Sequence, residues 1–197
     1  MDPWIDWVRR LQHVSETGLT YATDPYDIKR YEEVARLAAE VAGQGSGLDT
    51  HGAGHPTPKV DVRGALVRDE KVLLVREIAD GGWTLPGGWA DIGESPSHSV
   101  EREFREESGI PVRAVKLIAV HDRDAHNFPP HAHHIFKLFF LVEETGEPHG
   151  EPDDEVDGVG WFGLDDLPPL STGRTTRDQV ELALAHAARR ELPTDFD

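Results

Sequence analysis

The sequence predicts an α+β domain in which helices pack on a mixed β-sheet, preceded by a small helical extension. Three observations favour this class. Apolar residues recur at helical spacing near the amino end, short apolar strand candidates follow from Lys59 onward, and strands and helices mix without strict strand–helix–strand alternation. The chain has 197 residues, 38% of them hydrophobic, which is enough for one core of ordinary domain size.

Residues 1–45 are predicted to form the helical extension. Trp4, Trp7 and Leu11 fall at helical spacing, GLTYATDPYD then breaks the chain, and Asp24 is placed to cap a second helix. Two short helices cannot bury their apolar stripes alone. We therefore expect them to pack on the main domain or on a partner chain.

A linker and the main domain follow. Residues 46–58 are rich in Gly and Pro and predict a linker, and residues 59–197 form the main domain. Within it, KVDVRGALV and KVLLVREI are strand candidates, and RDE between them predicts a hairpin. The stretch GGWTLPGG is expected to be a loop.

The second half of the main domain is predicted to contain two helices with strands between them. Ser95 and Pro96 are suited to open a helix that Gly109 closes. VRAVKLIAVHD and HIFKLFFLVEE predict two apolar strands, followed by GVGWFGL. TTRDQVELALAHAARREL predicts a final helix, in which Thr176 and Gln179 are spaced as a capping box.

Charge and cysteine content exclude several function classes. Lys and Arg number 20 against 37 Asp and Glu, and the formal net charge of -17 disfavours binding to long nucleic acid. A small anionic substrate stays compatible where a metal or local arginines reverse the sign. With no cysteine, the chain has no disulfides, thiol nucleophiles or thiolate metal sites. The first residues lack a secretion signal and no apolar run is long enough to span a bilayer, so we expect a cytoplasmic protein without membrane contact.

Four glutamates crowd the helix that Ser95 opens. Glu103, Glu106 and Glu107 stand at i, i+3 and i+4, so their carboxylates share one side of the helix. Oxygen-rich carboxylate clusters suit a hard divalent cation such as Mg²⁺, completed by substrate phosphates. The alternative is a solvated helix whose charges pair with each other, as Glu101 would with Arg105.

The wider spacing resembles a known family. Gly88, five residues, Glu94, seven residues and then REFREESGI match the box of the Nudix hydrolases, and WTLPGG before it is also typical of that family. The resemblance covers roughly residues 59–192. It implies an α/β/α sandwich and Mg²⁺- or Mn²⁺-dependent hydrolysis of a nucleoside diphosphate linked to another moiety X.

The resemblance also implies roles for individual residues. Glu103, Glu106 and Glu107 correspond to metal ligands, helped by the Gly87 carbonyl, while Arg102 would orient Glu103 and Glu94 would brace the loop. Glu103, Glu106 and Arg102 are thus the catalytic candidates of the box.

A base outside the box is expected before the last strand. Glu151, Glu155 and Asp157 lie in that region, but Gly158 stands where a carboxylate is expected. Glu155 is the first choice among them.

The amino-terminal section resembles the helical extension of a bacterial Nudix subgroup that includes CDP-choline pyrophosphatases and ADP-ribose pyrophosphatase-like chains. In such relatives the extension helps to form a homodimer. Substrates of the CDP-choline or ADP-ribose class are therefore expected. The alternatives are removal of pyrophosphate from RNA 5′ ends, or a non-catalytic Nudix-like regulator that senses a nucleotide.

Several residues are candidates for substrate contact. Arg63 and Lys59 could each hold a phosphate, although either could be an ordinary surface charge. HDRDAHNFPPHAHH, which contains His126, favours a loop over the substrate, and an ordinary solvated loop is the alternative. A zinc site is disfavoured, because the histidines lack the spacing of such a site. Trp83, Trp89 and Phe128 could stack on a base, but such aromatic residues belong more often to a core.

Overall fold

The computed structural model describes residues 3–43, 57–131, 133–147 and 154–197. The expected linker 46–58 and Glu151 therefore lie outside the described residues, apart from 57 and 58. The chain divides into two compact units, one formed by Met1–Lys59 with Pro130–His134 and the other by Val60–Pro129 with Ile135–Asp197. In the part of the chain that the structure describes, no helix is long and apolar enough to cross a membrane.

The first unit contains two helices, α1 (Pro3–Tyr21) and α2 (Pro25–Gly43), which pack on each other. Asp24 caps α2 as the sequence predicted, because its Oδ1 accepts from the Tyr26 amide at 2.8 Å. The predicted break within GLTYATDPYD is confirmed but shorter than the stretch, since α1 continues to Tyr21 and α2 begins at Pro25. Gly18 has a packing role inside α1: a Cβ there would lie 2.3 Å from the Tyr31 ring.

The described residues of the second unit form two four-stranded sheets. The strands are β1 (Lys59–Ala65), β2 (Val67–Arg68), β3 (Lys71–Glu77), β4 (Trp83–Thr84), β5 (Val112–Asp122), β6 (Ile135–Glu144), β7 (Val156–Phe162) and β8 (Asp195–Phe196). The first sheet has the order β1-β6-β5-β8, and in the second β3 pairs with β2, β4 and β7. β5 runs antiparallel to β6 and parallel to β8, so the predicted mixed sheet is confirmed.

Two local features differ from the sequence prediction, and a third agrees with it. The expected loop GGWTLPGG contains the short strand β4, which pairs with the end of β3. The last helix, α4 (Arg177–Ala188), is shorter than predicted, and β8 follows it. The hairpin between β2 and β3 is confirmed, with Asp69 and Glu70 both at positive φ in its two-residue turn.

Helices cover the two sides of the first sheet. Helix α3 (Pro96–Ser108) contributes Val100 and Phe104 to a core that includes Val62 of β1 and Phe140 of β6. Helix α4 contributes Val180 to a second core. This second core also contains Ala65 and Phe139, which belong to the same two strands, because successive strand residues point to opposite faces.

Candidate active site

Local sequence signals fix the position of α3. Ser95 Oγ accepts from the His98 amide at 3.3 Å, and the Gly109 amide donates to the Arg105 carbonyl at 2.9 Å with Gly109 in the left-handed region. Phe104 packs so closely on β1 that a Cβ at Gly64 would lie 2.8 Å from its ring. The helix therefore has one apolar side against the sheet, and its glutamates occupy the rest.

Glu107 is the most buried carboxylate of this helix. Its side chain is almost fully covered, and its Oε2 accepts from the Gly87 amide at 2.8 Å. Burial raises the pKa of Glu107 to about 8, although the Arg63 charge and the Gly87 N–H act in the opposite direction. A nearby cation would favour the ionised form of this buried carboxylate, because an opposite charge offsets the cost of desolvation.

Arg102 lies at the centre of an acidic cluster. Its guanidinium contacts Glu94 at 3.2 Å, Glu103 at 3.0 Å and Glu106 at 2.9 Å. It also contacts Asp91 at 3.0 Å. One arginine therefore pairs with two of the three glutamates that the family resemblance implies as ligands, and it connects them to Asp91 and Glu94 before the helix.

The loop that precedes α3 approaches both β1 and the helix. Gly87 has φ of 140°, and a Cβ there would lie 2.0 Å from the Val62 carbonyl oxygen, so only glycine fits. The Val62 amide donates to the Gly88 carbonyl at 2.8 Å. A Cβ at Gly88 would lie 3.0 Å from Glu103 Oε2, which places this carboxylate directly against the loop.

The three expected substrate-contact residues are in different environments. Arg63 is buried and bonded to Asp61 at 2.8 Å and to the Leu85 carbonyl at 3.2 Å. Lys59 is exposed at the start of β1. His126 pairs with Asp197 at 3.0 Å. Arg63 is thus connected directly to the loop that carries Gly87.

The candidate base Glu155 is exposed just before β7, and its backbone carbonyl accepts from the Ile78 amide at 3.0 Å. Asp157 pairs with Arg76 at 2.6 Å. Glu155 is one of the charges that raise the pKa of Glu77, after burial of Glu77 itself. It therefore lies within electrostatic range of a buried carboxylate at the end of β3.

Comparison with known proteins places this arrangement in a family. The family model of the NUDIX domain matches residues 58–183 of the chain. The chain is a Nudix hydrolase. A second description, "UDP-X-like, N-terminal oligomerisation domain", matches residues 2–53 of this Nudix enzyme.

Individual relatives of the Nudix enzyme agree. A Bacillus subtilis protein provisionally named ADP-ribose pyrophosphatase is 37% identical, over 98% of this chain and 97% of its own length. The crystal structure of an ADP-ribose pyrophosphatase from Streptococcus suis is 39% identical and superposes with a TM-score of 0.65, over 72% of this chain and all of its own. A UDP-X diphosphatase crystal structure is 31% identical, with a TM-score of 0.66 and 98% of both chains covered.

Nudix hydrolases use a divalent cation, and the donor set of this Nudix enzyme fits one. Among the described residues, no three carboxylates or histidines already converge on one point, and Glu103 and Glu106 both pair with Arg102. All available donors are nevertheless carboxylate or carbonyl oxygens, which Mg²⁺ and Mn²⁺ prefer. Burial also raises the pKa of Glu103, so a cation would favour the ionised form of a second carboxylate at this site.

Sequence reasoning missed a second buried charge cluster of the Nudix enzyme. Glu77 at the end of β3 is only 5% exposed and pairs with Arg174 at 2.9 Å. Lys137 of β6 is 2% exposed and bonds to Asp61 at 2.5 Å. The sequence did contain a signal for this cluster, namely a charged residue inside an otherwise apolar strand, as in HIFKLFFL. Charged residues are rarely buried without a partner, so a buried lysine in such a strand predicts a nearby acidic residue.

Proposed function

We propose that this Nudix hydrolase cleaves nucleoside diphosphates linked to a second moiety X, giving a nucleoside monophosphate and phosphorylated X. The observation that carries the proposal is the buried Glu107 on the acidic side of α3, bonded to Gly87 in the loop. The names of the relatives support this substrate class, since they include ADP-ribose pyrophosphatase and UDP-X diphosphatase. ADP-ribose, UDP-linked compounds and CDP-choline are the candidate substrates.

The metal would be held by Glu103, Glu106 and Glu107, with the Gly87 carbonyl as a further oxygen donor. Mg²⁺ is the proposed cation and Mn²⁺ the substitute. A divalent ion bound there would neutralise phosphate charge and lower the pKa of a bound water.

The remaining residues of the cluster prepare the site. Arg102 keeps Glu103 and Glu106 on one side of the helix and connects them to Glu94. Gly87 and Gly88 allow the loop backbone to come close to Glu107 and Glu103 without a side chain between them. Glu155 stays the proposed base for the attacking water, because it is exposed just before β7 and within electrostatic range of the buried Glu77.

We also propose that the chain forms a homodimer through residues 1–45, with 46–58 as linker and 59–197 as the hydrolase domain. Large apolar side chains stay exposed on the helices, including Trp7 at 60%, Val14 at 51% and Leu37 at 44%. Such surface is typical of an interface. The description of residues 2–53 as an oligomerisation domain supports the same conclusion.

A substrate panel tests the proposed function. ADP-ribose, UDP-glucose, CDP-choline and a 5′-triphosphate RNA are incubated with the enzyme and Mg²⁺ in oxygen-18 water, and the products are identified by mass spectrometry. We expect a nucleoside monophosphate and phosphorylated X, and the position of oxygen-18 identifies the phosphorus attacked. Release of pyrophosphate from the RNA alone would contradict the proposal, as would no turnover of any compound.

A further inference from the structure

A row of polar side chains crosses the first sheet in the order of its strands. Asp61 of β1 accepts from Lys137 Nζ of β6 at 2.5 Å. Lys137 is the cross-strand partner of His121 on β5. His121 Nε2 in turn lies 2.9 Å from Asp195 Oδ2 of β8. All but Asp195 are buried, so the row forms a polar strip beside the apolar residues of the second core.

One end of the row reaches the candidate active site. Arg63 bonds to Asp61 and also donates to the Leu85 carbonyl, at the start of the loop that carries Gly87. Asp61 is bridged to Trp89, which follows the same loop. The row therefore extends away from the acidic helix on the face of the sheet that is opposite to α3, next to Phe139 of the second core.

Rings from the following loop cover the row. The His126 imidazole stacks on His121, with ring centroids 3.8 Å apart and planes inclined by 21°. The Phe128 ring centroid lies 5.1 Å from Lys137 Nζ and 5.4 Å from the Arg123 guanidinium. The space above the row thus already accommodates flat rings.

One atom of the row has no hydrogen-bond partner. His121 is 3% exposed, and its buried Nδ1 has no hydrogen-bond partner among the residues that the structure describes. Because Nε2 faces a carboxylate, Nε2 carries the proton and Nδ1 is an acceptor in the neutral ring. A buried unsatisfied acceptor destabilises the fold and calls for a functional explanation.

We propose that His121 and Lys137 form the subsite for the nucleobase of the substrate, beneath the rings of His126 and Phe128. This inference rests on the proposed function. The base presents an N–H to His121 Nδ1 and a neighbouring acceptor atom to Lys137 Nζ, so both buried groups recognise its edge. Its faces contact the rings of the loop. Because His121 and Lys137 are buried, this binding mode requires the loop that carries His126 and Phe128 to move aside.

Base selectivity tests the proposal. kcat/KM is measured for ADP-, CDP-, GDP- and UDP-glucose, which differ only in the base. We expect the wild type to prefer one or two bases, and His121→Phe and Lys137→Met to reduce that preference at least tenfold. His186→Phe is the matched control, since His186 is equally buried and also has an unpartnered Nδ1, but on α4. It should keep the wild-type ratios.

The outcomes separate recognition from folding. Equal kcat/KM for the four bases in the wild type, or unchanged ratios in the variants despite lower rates, would overturn the proposal. If the buried variants do not fold, His126→Ala decides in the same way, because His126 is in a partly exposed loop and its loss should also weaken the preference. A wild type that hydrolyses none of the four would instead contradict the proposed function itself.

Discussion

Single residues carry the electrostatics of this site. Glu107 is buried against Gly87 and its pKa is raised to about 8, whereas Arg102 gathers its neighbours on the exposed side of the helix. The difference in burial between Glu107 and its neighbours arises from their positions on the helix. Glu107 lies on the buried side with Phe104, whereas Glu103 and Glu106 lie beside Arg102. A bound cation would therefore stabilise the ionised form of Glu107 most. Glu103 and Glu106 would have to exchange their ion pairs with Arg102 for contacts with the cation.

Gly87 gives the first prediction at this scale. Gly87→Ala should reduce hydrolysis at least about 100-fold, because a Cβ 2.0 Å from the Val62 carbonyl must displace the loop, and small misplacements of reacting groups are costly. Gly93→Ala is the control, since Gly93 also has positive φ but no atom near the added Cβ. Rates and melting temperatures of both variants are compared. Equal activity of the two variants would show that crowding at Gly87 is unimportant.

Lys137 gives a prediction about pH. Burial lowers its pKa to about 8, with Arg63 and Arg123 acting in the same direction and Asp61 opposing them. Between this value and the ordinary lysine value of about 10.4, the unfolded chain binds more protons than the folded one. The contribution of Lys137 to the free energy of unfolding therefore rises with pH across that window.

Urea denaturation of wild type and Lys137→Met at pH 7.5 and 10 measures this contribution. The stability of the wild type relative to the variant should increase at the higher pH. An identical change with pH in both proteins would show that Lys137 does not titrate between these values.

At the scale of elements, the prediction from sequence succeeded where the signals are local. Ser95, Pro96 and Gly109 predicted α3, and VRAVKLIAVHD coincides with β5. The short strands β4 and β8 could not be found this way, because pairing with distant strands defines them. The helix side of the candidate site likewise follows from the spacing of its glutamates.

The other half of the site is assembled by tertiary contacts. Glu77 meets Arg174 across 97 positions of sequence, a pairing that no local pattern indicates. The segment after the short 3-10 helix Leu164–Asp166 also reaches the loop, because Thr175 Oγ1 accepts from the Leu85 amide at 3.2 Å. Elements distant in sequence therefore support the loop that carries Gly87.

Arg174 provides the test of this support. Arg174→Met should lower the free energy of unfolding by about 2 kcal/mol, because it leaves Glu77 buried without its ion pair, discounted for the partial exposure of Arg174. Adding Glu77→Gln should restore part of the loss. Arg177→Met, which breaks the exposed pair with Glu181, should cost less than about 0.5 kcal/mol. If the effects of Arg174→Met and Glu77→Gln on the free energy of unfolding in urea are additive, the proposed coupling between Arg174 and Glu77 is contradicted.

At the scale of the whole molecule, the account predicts a dimer that depends on the helical extension. Val14→Glu places a charge among exposed apolar side chains and should shift the protein to monomers in sedimentation equilibrium at micromolar concentration. Thr20→Glu, at an exposed polar position of the same helix, should leave the dimer intact. A wild type that sediments only at 21.9 kDa would contradict the homodimer.

The most direct test of the central claim is the Mg²⁺-dependent hydrolysis of ADP-ribose and UDP-glucose by wild type and Glu107→Gln. The substitution keeps the shape of the side chain and removes its charge. We expect wild-type turnover that requires the cation and a loss of at least about 100-fold in kcat/KM for the variant, with its melting temperature unchanged. A Glu107→Gln enzyme with the full wild-type rate, or a wild type equally active in EDTA, would contradict the account.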